Sequence, residues 1–518
     1  MSQKAKTMTV VLVVIALVIG ILVGFAVGKV GVAPTTITQT ITQPVTYTIT
    51  YTTERTVIST VMMSPATTTS PATSPTTSPS PTTTSPVQQY VWTLPNENEI
   101  VADLSKRITW SGEVTIEMWD GLGGGDGWVM DHLVDTFNSL FAGKIKVVRV
   151  MQGAWSDVYS KLLAGYKAGV QPDVFIVHPT EIPIFAYTVM QPVDNVIKNF
   201  GLSRDQYIEW YWDMLWWPDP KTGEKHMMAL PLDIHPYAMY INLDLAEKYG
   251  IPIPKPGEIK TPDDLLNWLR LAKQKLQTEK TGIYPMGIET GAGNFWFWWS
   301  LTPRDLVVGD GTVTNPKPAI NSTDGINTFK WFKIAADEGL IVVHPWNELI
   351  YGLAMNTTHP VLSWVHGPWA QATFDLIPGF RYAVVALFGG DSPYKVWTSG
   401  HIIGLTYGNT PERQKAAEIF AVWLSKHGGP WGAYAGHIPA YKEGWKFPPY
   451  ANNPHRMQFV EQAKLGAKFL TLHPAIWEIG DHINAHVLNV VNGQETPEEA
   501  AQKSEQEALA ILAPYAGG

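Results

Sequence analysis

The sequence predicts an α/β protein of more than one domain, and three observations carry that expectation. From Val91 onward, strand-like and helix-like patterns alternate along the chain instead of segregating into blocks. The stretch "TIEMWDGLGGGDGWVMDHLVDTF", from residue 115 to 137, shows the change of period directly. It starts at period two, breaks into five glycines around a Trp and two Asp, and resumes at helical spacing. Finally, 518 residues are too many for one core.

Taken in order, the elements begin with an apolar run from Met8 to Val27, about the 20 residues a helix needs to cross a bilayer. Lys4 and Lys6 precede it, so residues 1–32 are expected to form an N-terminal anchor with the rest of the chain outside the cytoplasm. The competing reading is a cleaved signal ending near Ala33. Residues 33–90 change character to Thr-rich and then Ser/Thr/Pro-rich sequence, "SPATTTSPATSPTTSPSPTTTSP". Such composition cannot bury apolar surface and is expected to form a disordered, extended stalk, open to O-glycosylation and reaching on the order of 150 Å. The Thr-rich half alternates at period two, which suits either a paired strand or a solvated spacer, and the spacer is the expectation. Next come strand "EVTIEMW", helix "GWVMDHLVDTFNSLF", strand "KIKVVRV", helix "WSDVYSKLLAGYKAG" and strand "DVFIV". This βαβαβ start is expected to have strands buried on both faces, with ligands beyond their carboxyl ends. The glycine loop and His178 therefore share one rim.

Composition removes several function classes. Charged residues are 16% of the chain and the net charge is -9, so nucleic acid is not an expected partner. Cysteine is absent, which excludes disulfides, thiol catalysis, Cys-based zinc sites and a Cys-linked lipid anchor. The 22 Trp outnumber the 20 Tyr and 17 Phe, pointing to aromatic surface with a role beyond core filling. The glycine loop is not a phosphate cradle. Trp128 and Val129 follow Gly127 where a Walker loop needs Lys and Ser/Thr, and Asp126 stands where the dinucleotide fingerprint needs its third glycine. An acidic, aromatic loop suits a neutral polar ligand.

The segments "AWSDVYSKLLAGYKAGVQPDVFIVHPTEIPIFAYTVMQPVD", "LPLDIHPYAMYINLDLAEKYGI" and "AMNTTHPVLSWVHGPWA" resemble extracellular solute-binding proteins that feed ABC importers of carbohydrates. The order that follows, "WTSGHIIGL", "PERQKAAEIFAVWLSKHG" and "AGHIPAYKEGW", is also similar to that family, over nearly all of residues 112 to 512. Many relatives carry His after the first-strand Trp and Pro in the glycine loop, where this chain has Asp120 and Gly125. The anchor and stalk resemble the arrangement of archaeal members. The resemblance implies a periplasmic-binding-protein-like fold of class II, two α/β lobes hinged by two or three crossings. Lobe one is expected at 91–236 plus 387–438 and lobe two at 237–386 plus 439–518, with crossings near 234–236, 386–390 and 437–440. It also implies a monomer at the cell surface, anchored in the cytoplasmic membrane, with a carbohydrate ligand, ABC permease subunits as partners and no cofactor.

A sugar offers apolar C–H faces to flat rings and an equator of hydroxyls to carboxylates. The residues in loops that the family places at the cleft are Trp119, Asp120, Asp126, Trp155, His178, Glu181, Asp233, His235, Trp296, Trp299, Trp369, Trp397 and His401. Asp126 also suits an N-cap for a helix starting at Trp128, His235 a hinge hydrogen bond, and Trp155 packing at a helix start. In "NFWFWWSL" helical spacing pairs Trp296 with Trp299 and Phe295 with Trp298, one pair for the core and one for the cleft. Gly367 and Pro368 suggest a turn presenting Trp369, which Trp364 flanks on the other side. His482 and His486, with Glu478 and Asp481, have metal-like spacing but read as a solvated helix face, so no metal is expected. The alternatives are a surface glycoside hydrolase, a receptor for a peptide or other polar solute, and an adhesive surface protein suggested by the stalk and the sequons at Asn321 and Asn356.

Overall fold

Two sheets organise the chain, and several of their strands are buried along their whole length. The structure, a computed structural model, describes residues 37–41, 45–49, 90–309, 311, 315–355 and 359–515. The chain divides into two units, Met1–Val87 and Gln88–Gly518. In the first, β1 (Ile37–Ile41) and β2 (Val45–Ile49) pair antiparallel, with Ile37 opposite Ile49. This part of the expected spacer is therefore a hairpin, because alternating Thr, Val and Ile favour extended pairing. The apolar run Met8–Val27 and the Pro-rich half of the stalk lie outside the described residues. No helix among the described residues is long and apolar enough to cross a membrane.

The second unit contains β3 (Val114–Asp120), β4 (Ile145–Met151), β5 (Val174–Val177), β6 (Trp216–Pro218), β7 (Lys225–Met227), β8 (Leu230–Pro236) and β9 (Ala238–Asn242). They are followed by β10 (Tyr284–Glu289), β11 (Ile341–His344), β12 (Val361–His366), β13 (Tyr382–Val385), β14 (Val396–Leu405), β15 (Ile438–Pro439) and β16 (Ala467–Phe469). The larger sheet runs β15-β8-β14-β5-β3-β4 with β16 beside β14, and the smaller runs β11-β10-β12-β9-β13. β3 lies parallel to β4 and β5, the expected βαβαβ start, while β14 runs antiparallel to β5 and β8. β5 is buried along its length, but β4 alternates between buried and exposed positions. The expectation of burial on both faces fails at β4 because it is the edge strand.

The chain passes from the larger to the smaller sheet at Tyr237, between β8 and β9, and returns between β13 and β14. β15 stays on the larger sheet, and so does β16, which pairs with Val396–Thr398 of β14 although residues 439–518 were expected in the second lobe. Between them, helix Pro454–Leu465 reaches across: Gln458 accepts from the Val384 amide at 3.0 Å and Gln462 from that of Leu387 at 2.6 Å. The final crossing thus follows β16, before helix Ile476–Val491 packs on the second lobe.

The lobes also touch at their rims. A Cβ built on Gly125 would sit 2.6 Å from the Ala372 Cβ, and one on Gly436, whose φ is +97°, 2.3 Å from the Pro368 carbonyl oxygen. Gly125 lies at the start of helix Gly124–Leu140, and Ala372 in helix Ala370–Phe374 of the other lobe. Side chains at these points would hold the rims apart. Gly125→Val is expected to leave far-UV circular dichroism unchanged while raising the radius of gyration in small-angle scattering, since the added bulk meets a neighbour that cannot overlap it. An unchanged radius would show that Ala372 gives way instead.

Candidate functional site

Strand ends from both sheets face each other across a cavity of about 540 Å³. On the larger sheet, the loop after β3 supplies Gly121, Leu122 and Gly123, and Asp126 follows in the first turn of helix Gly124–Leu140. Helix Trp155–Ala168 contributes Trp155, Ser156 and Tyr159, the end of β5 contributes His178, and His235, Trp397, His401 and His437 come from β8, β14 and the approach to β15. The opposite wall consists of Glu289 at the end of β10, Trp296, His366 at the end of β12, Trp369, Trp477 and Asp481. An open groove of similar size, about 570 Å³, lies against helix Pro262–Leu276. Its charges pair with one another, Arg270 with Glu338 at 2.7 Å and Lys273 with Glu279 at 2.6 Å, so it offers no convergent polar groups.

The tryptophans form a frame. Trp296 and Trp397 stack face to face across the lobes, 4.4 Å apart and 5° from parallel. Trp369 and Trp477 stand edge-on to this pair, Trp369 at 87° to Trp397 and Trp477 at 70° to Trp296. The indole Nε1 groups of Trp296 and Trp397 are buried without hydrogen-bond partners. Behind the rings lies Asp233, fully buried. His235 Nδ1 donates to it at 3.0 Å, His401 Nδ1 at 2.8 Å and Trp431 Nε1 at 2.7 Å. A carboxylate only accepts, so both imidazoles carry their proton on Nδ1. Burial opposes the charge on Asp233, but His401, His437 and His235 outweigh it and hold the carboxyl well below the usual range. Burial dominates at His235, bringing it down to about 3, and with His401 and His235 nearby it also holds His178 well below its ordinary value. His437 moves the other way. Burial lowers it, but Asp233 and Asp126 together raise it, and its Nε2 donates to Asp126 at 3.0 Å.

Of the thirteen residues nominated from sequence, Asp126, Trp155, His178, His235, Trp296, Trp369, Trp397 and His401 line the cavity. The other five do not. Trp119 packs against the core of the larger sheet and donates Nε1 to Glu117. Asp120 is buried in a two-point pair with Arg149, at 2.8 and 2.7 Å, and accepts from the Leu122 amide at 2.9 Å, so it shapes the glycine loop from below. Glu181 accepts from Trp477 Nε1 at 2.7 Å and acts through that ring. Asp233 stands behind the histidines. Trp299 is in the core with Phe295 and Trp298, so the expected Trp296/Trp299 pair is split. Three residues along a helix turn a side chain by about 300°, and here that difference takes Trp299 out of the cleft.

The N-cap reading of Asp126 also fails, because the helix begins at Gly124 with Gly123 as its cap. Glu478, Asp481 and His482 lie on a solvated helix face as expected, but His486 is buried: Glu507 pairs with both histidines at 3.0 Å and Glu495 with His486 at 2.7 Å. Tyr159, Glu289, His366, His437, Trp477 and Asp481 were not nominated. The strand-end rule that marks His178 applies equally to Glu289 and His366. The quoted motifs "WVHGPW" and "AGHIPAY" contain His366 and His437.

Comparison with known proteins agrees with this geometry. The profile of the family described as bacterial extracellular solute-binding protein matches residues 132–458, more than half of the chain. A Brucella abortus chain carried under a binding-protein name is 24% identical over 372 residues, covering 69% of this chain and 84% of its own. Among solved structures, the GacH receptor of Streptomyces glaucescens is similar with a TM-score of 0.64 at 18% identity, covering 78% of this chain and 100% of that one. The sugar-binding protein MalE of Xanthomonas citri gives 0.63 at 17%, covering 77% and 98%. At these identities the structural likeness speaks to the fold alone.

The far wall holds a titratable pair. Trp346 Nε1 donates to His366 Nε2 at 3.0 Å, which leaves the ring proton on Nδ1, 3.3 Å from Glu289 Oε2. Burial pushes the Glu289 carboxyl up from 4.5 to about 8. Between those values the folded chain holds a proton that the unfolded chain has released. This contribution to stability is complete below pH 4.5 and is lost as pH rises to about 8, by at most about 1.4 kcal/mol per pH unit. Glu289→Gln is expected to flatten the decline in urea-unfolding free energy across that window. Parallel wild-type and variant curves would show that Glu289 is ionised throughout.

Proposed function

The chain belongs to the bacterial extracellular solute-binding proteins, and from that premise we propose that it is the receptor of an ABC importer, capturing a sugar or oligosaccharide between its lobes. The observation that carries this reading is the frame of stacked Trp296 and Trp397 with Trp369 and Trp477 edge-on to them, around a cavity whose other walls hold Asp126, Glu289 and Asp481. Flat indoles take up the C–H faces of pyranose rings, and the carboxyl groups take up hydroxyls at the edges. The GacH receptor is described in complex with acarbose and a MalE3 of T. maritima with maltose, which supports a carbohydrate here.

In this reading His178, His235 and His401 complete the polar wall on lobe one, and Trp155 extends the aromatic surface. Asp120, Glu181 and Asp233 hold these groups in place from behind. Closure assembles contacts from both lobes, and the permease subunits read the closed shape. Met8–Val27 serves as the membrane anchor, with residues 33–90 as a tether that lets a monomeric binding domain sweep the space outside the membrane. No chemical step follows capture.

A panel of oligosaccharides screened by melting temperature is expected to contain one that raises Tm while others do not. Trp296→Ala and Trp369→Ala should each weaken its binding in calorimetry on the order of 10- to 100-fold. The saccharide should be recovered intact, since cleaved product would favour a hydrolase. A panel without any shift, beside a shift with a peptide, would replace the carbohydrate by another polar solute.

A further inference from the structure

Behind the cavity, one carboxylate and three imidazoles converge. Asp233, His235, His401 and His437 are all at most 3% exposed, and their donor atoms lie within 4.8 Å of one another. Their convergence follows from sheet register. Asp233 and His235 are two apart on β8, His401 pairs directly with Asp233 on β14, and His437 immediately precedes Ile438, which pairs with Ile234. All four belong to the larger sheet or its edge, so the cluster exists in one lobe and needs neither closure nor a ligand in the cleft.

We propose that Asp233, His235, His401 and His437 form a binding site for a divalent transition metal ion of the zinc class. Three imidazole nitrogens and one carboxylate oxygen are a ligand set of that class, whereas magnesium and calcium favour all-oxygen sites. A tetrahedral ion with ligands at about 2.0–2.1 Å separates its donors by roughly 3.3 Å. The Nδ1 atoms of His235, His401 and His437 stand 3.0, 2.8 and 3.6 Å from the nearer Asp233 oxygens, so small ring movements suffice.

Two further observations point to an ion. His437 Nδ1 is buried with no hydrogen-bond partner, although it faces Asp233. Its Nε2 donates to Asp126 at 3.0 Å, so in the neutral ring the lone pair is on Nδ1, the arrangement in which an outer carboxylate orients a metal-ligating imidazole. Trp431 Nε1 donates to Asp233 Oδ2 at 2.7 Å, and the Trp431 ring lies 5.0 Å from that of His437, at 5°. These contacts fix the two groups; Asp233 Oδ1, which accepts from His235 Nδ1 at 3.0 Å and from the His401 amide at 3.2 Å, would exchange the His235 proton for the ion. Binding requires the Nδ1 protons of His235 and His401 to move to Nε2 of the same rings. The ion would then pin His235 and His401, two walls of the cavity.

The test uses the full-length chain, stripped with a chelator and dialysed against zinc(II) or cobalt(II), with metal counted by mass spectrometry. Zinc is expected to bind at the cluster, and cobalt(II) to give the intense visible bands of a tetrahedral site. Asp233→Asn and His437→Gln should each reduce metal affinity roughly ten-fold or more. His235→Gln carries the same test if either variant fails to fold. His344→Ala alters the other His/Glu cluster among the described residues, His344, Glu348 and His359, and should leave the tetrahedral signal intact. Metal retained by folded Asp233→Asn and His437→Gln, or lost from His344→Ala, would overturn the proposal, as would no metal bound at all. No saccharide enters the experiment, so its result is independent of the receptor reading.

Discussion

The site depends on burying the charge of Asp233. An isolated carboxylate removed from water is too costly to keep, so the surrounding strands must bring it donors. They do so from three separate stretches: His235 from its own strand, the His401 ring from β14, and Trp431 from helix Gly428–Ala435. The His401 backbone amide adds a further donor at 3.2 Å, beside the irregular register between His401 and Ile402. One carboxylate thereby fixes the rotamers of His235 and His401 on the larger-sheet wall. It sits three residues before Pro236, where β8 ends and the chain leaves for the smaller sheet. The crossing between the sheets and the larger-sheet wall of the cavity share a single polar anchor.

Trp296, Trp369, Trp397 and Trp477 depend on a different constraint. Trp397 comes from β14, while the other three come from the opposite lobe, so the Trp296/Trp397 stack exists only while the lobes are together. The Glu181–Trp477 hydrogen bond likewise joins the turn after β5 to helix Ile476–Val491. Both contacts join the two lobes in this structure. The stacked faces of Trp296 and Trp397 are also the flat surfaces a sugar ring would take up. A pyranose entering between them must part the pair and exchange one aromatic contact for two stacking contacts.

Local patterns and long-range placement were legible to different degrees. Alternation and the glycine break revealed β3, helix Gly124–Leu140 and the rim they share with His178, because each is a property of neighbouring residues. The aromatic run revealed Trp296 and the Gly-Pro turn Trp369. It could not separate Trp296 from Trp299, since the side of the helix that meets the sheet is decided by packing from elsewhere, here helices Thr323–Asp337 and Ile476–Val491. Asp233 looked like a ligand contact for the same reason. Whether a strand carboxylate points into a cleft or lies behind it depends on His401 and Trp431, more than 160 residues away in the chain. The return of β16 to the larger sheet carries no local signature, for a strand of three residues leaves too little periodicity to read.

These features bear on how occupancy could be signalled. A solute shifts the balance between open and closed forms only by its difference in affinity for the two. A contact confined to one wall binds both forms alike and contributes no shift. Glu289, Trp296, Trp369 and Asp481 face the larger-sheet wall across the cavity, so a solute touching both walls would gain its closed-form preference from meeting the two together. The missing side chains of Gly125 and Gly436 let Ala372 and Pro368 approach to contact across the two lobes. The glycine segment thus serves twice, as cavity wall through Gly121 and Gly123 and as the close contact with the other lobe through Gly125.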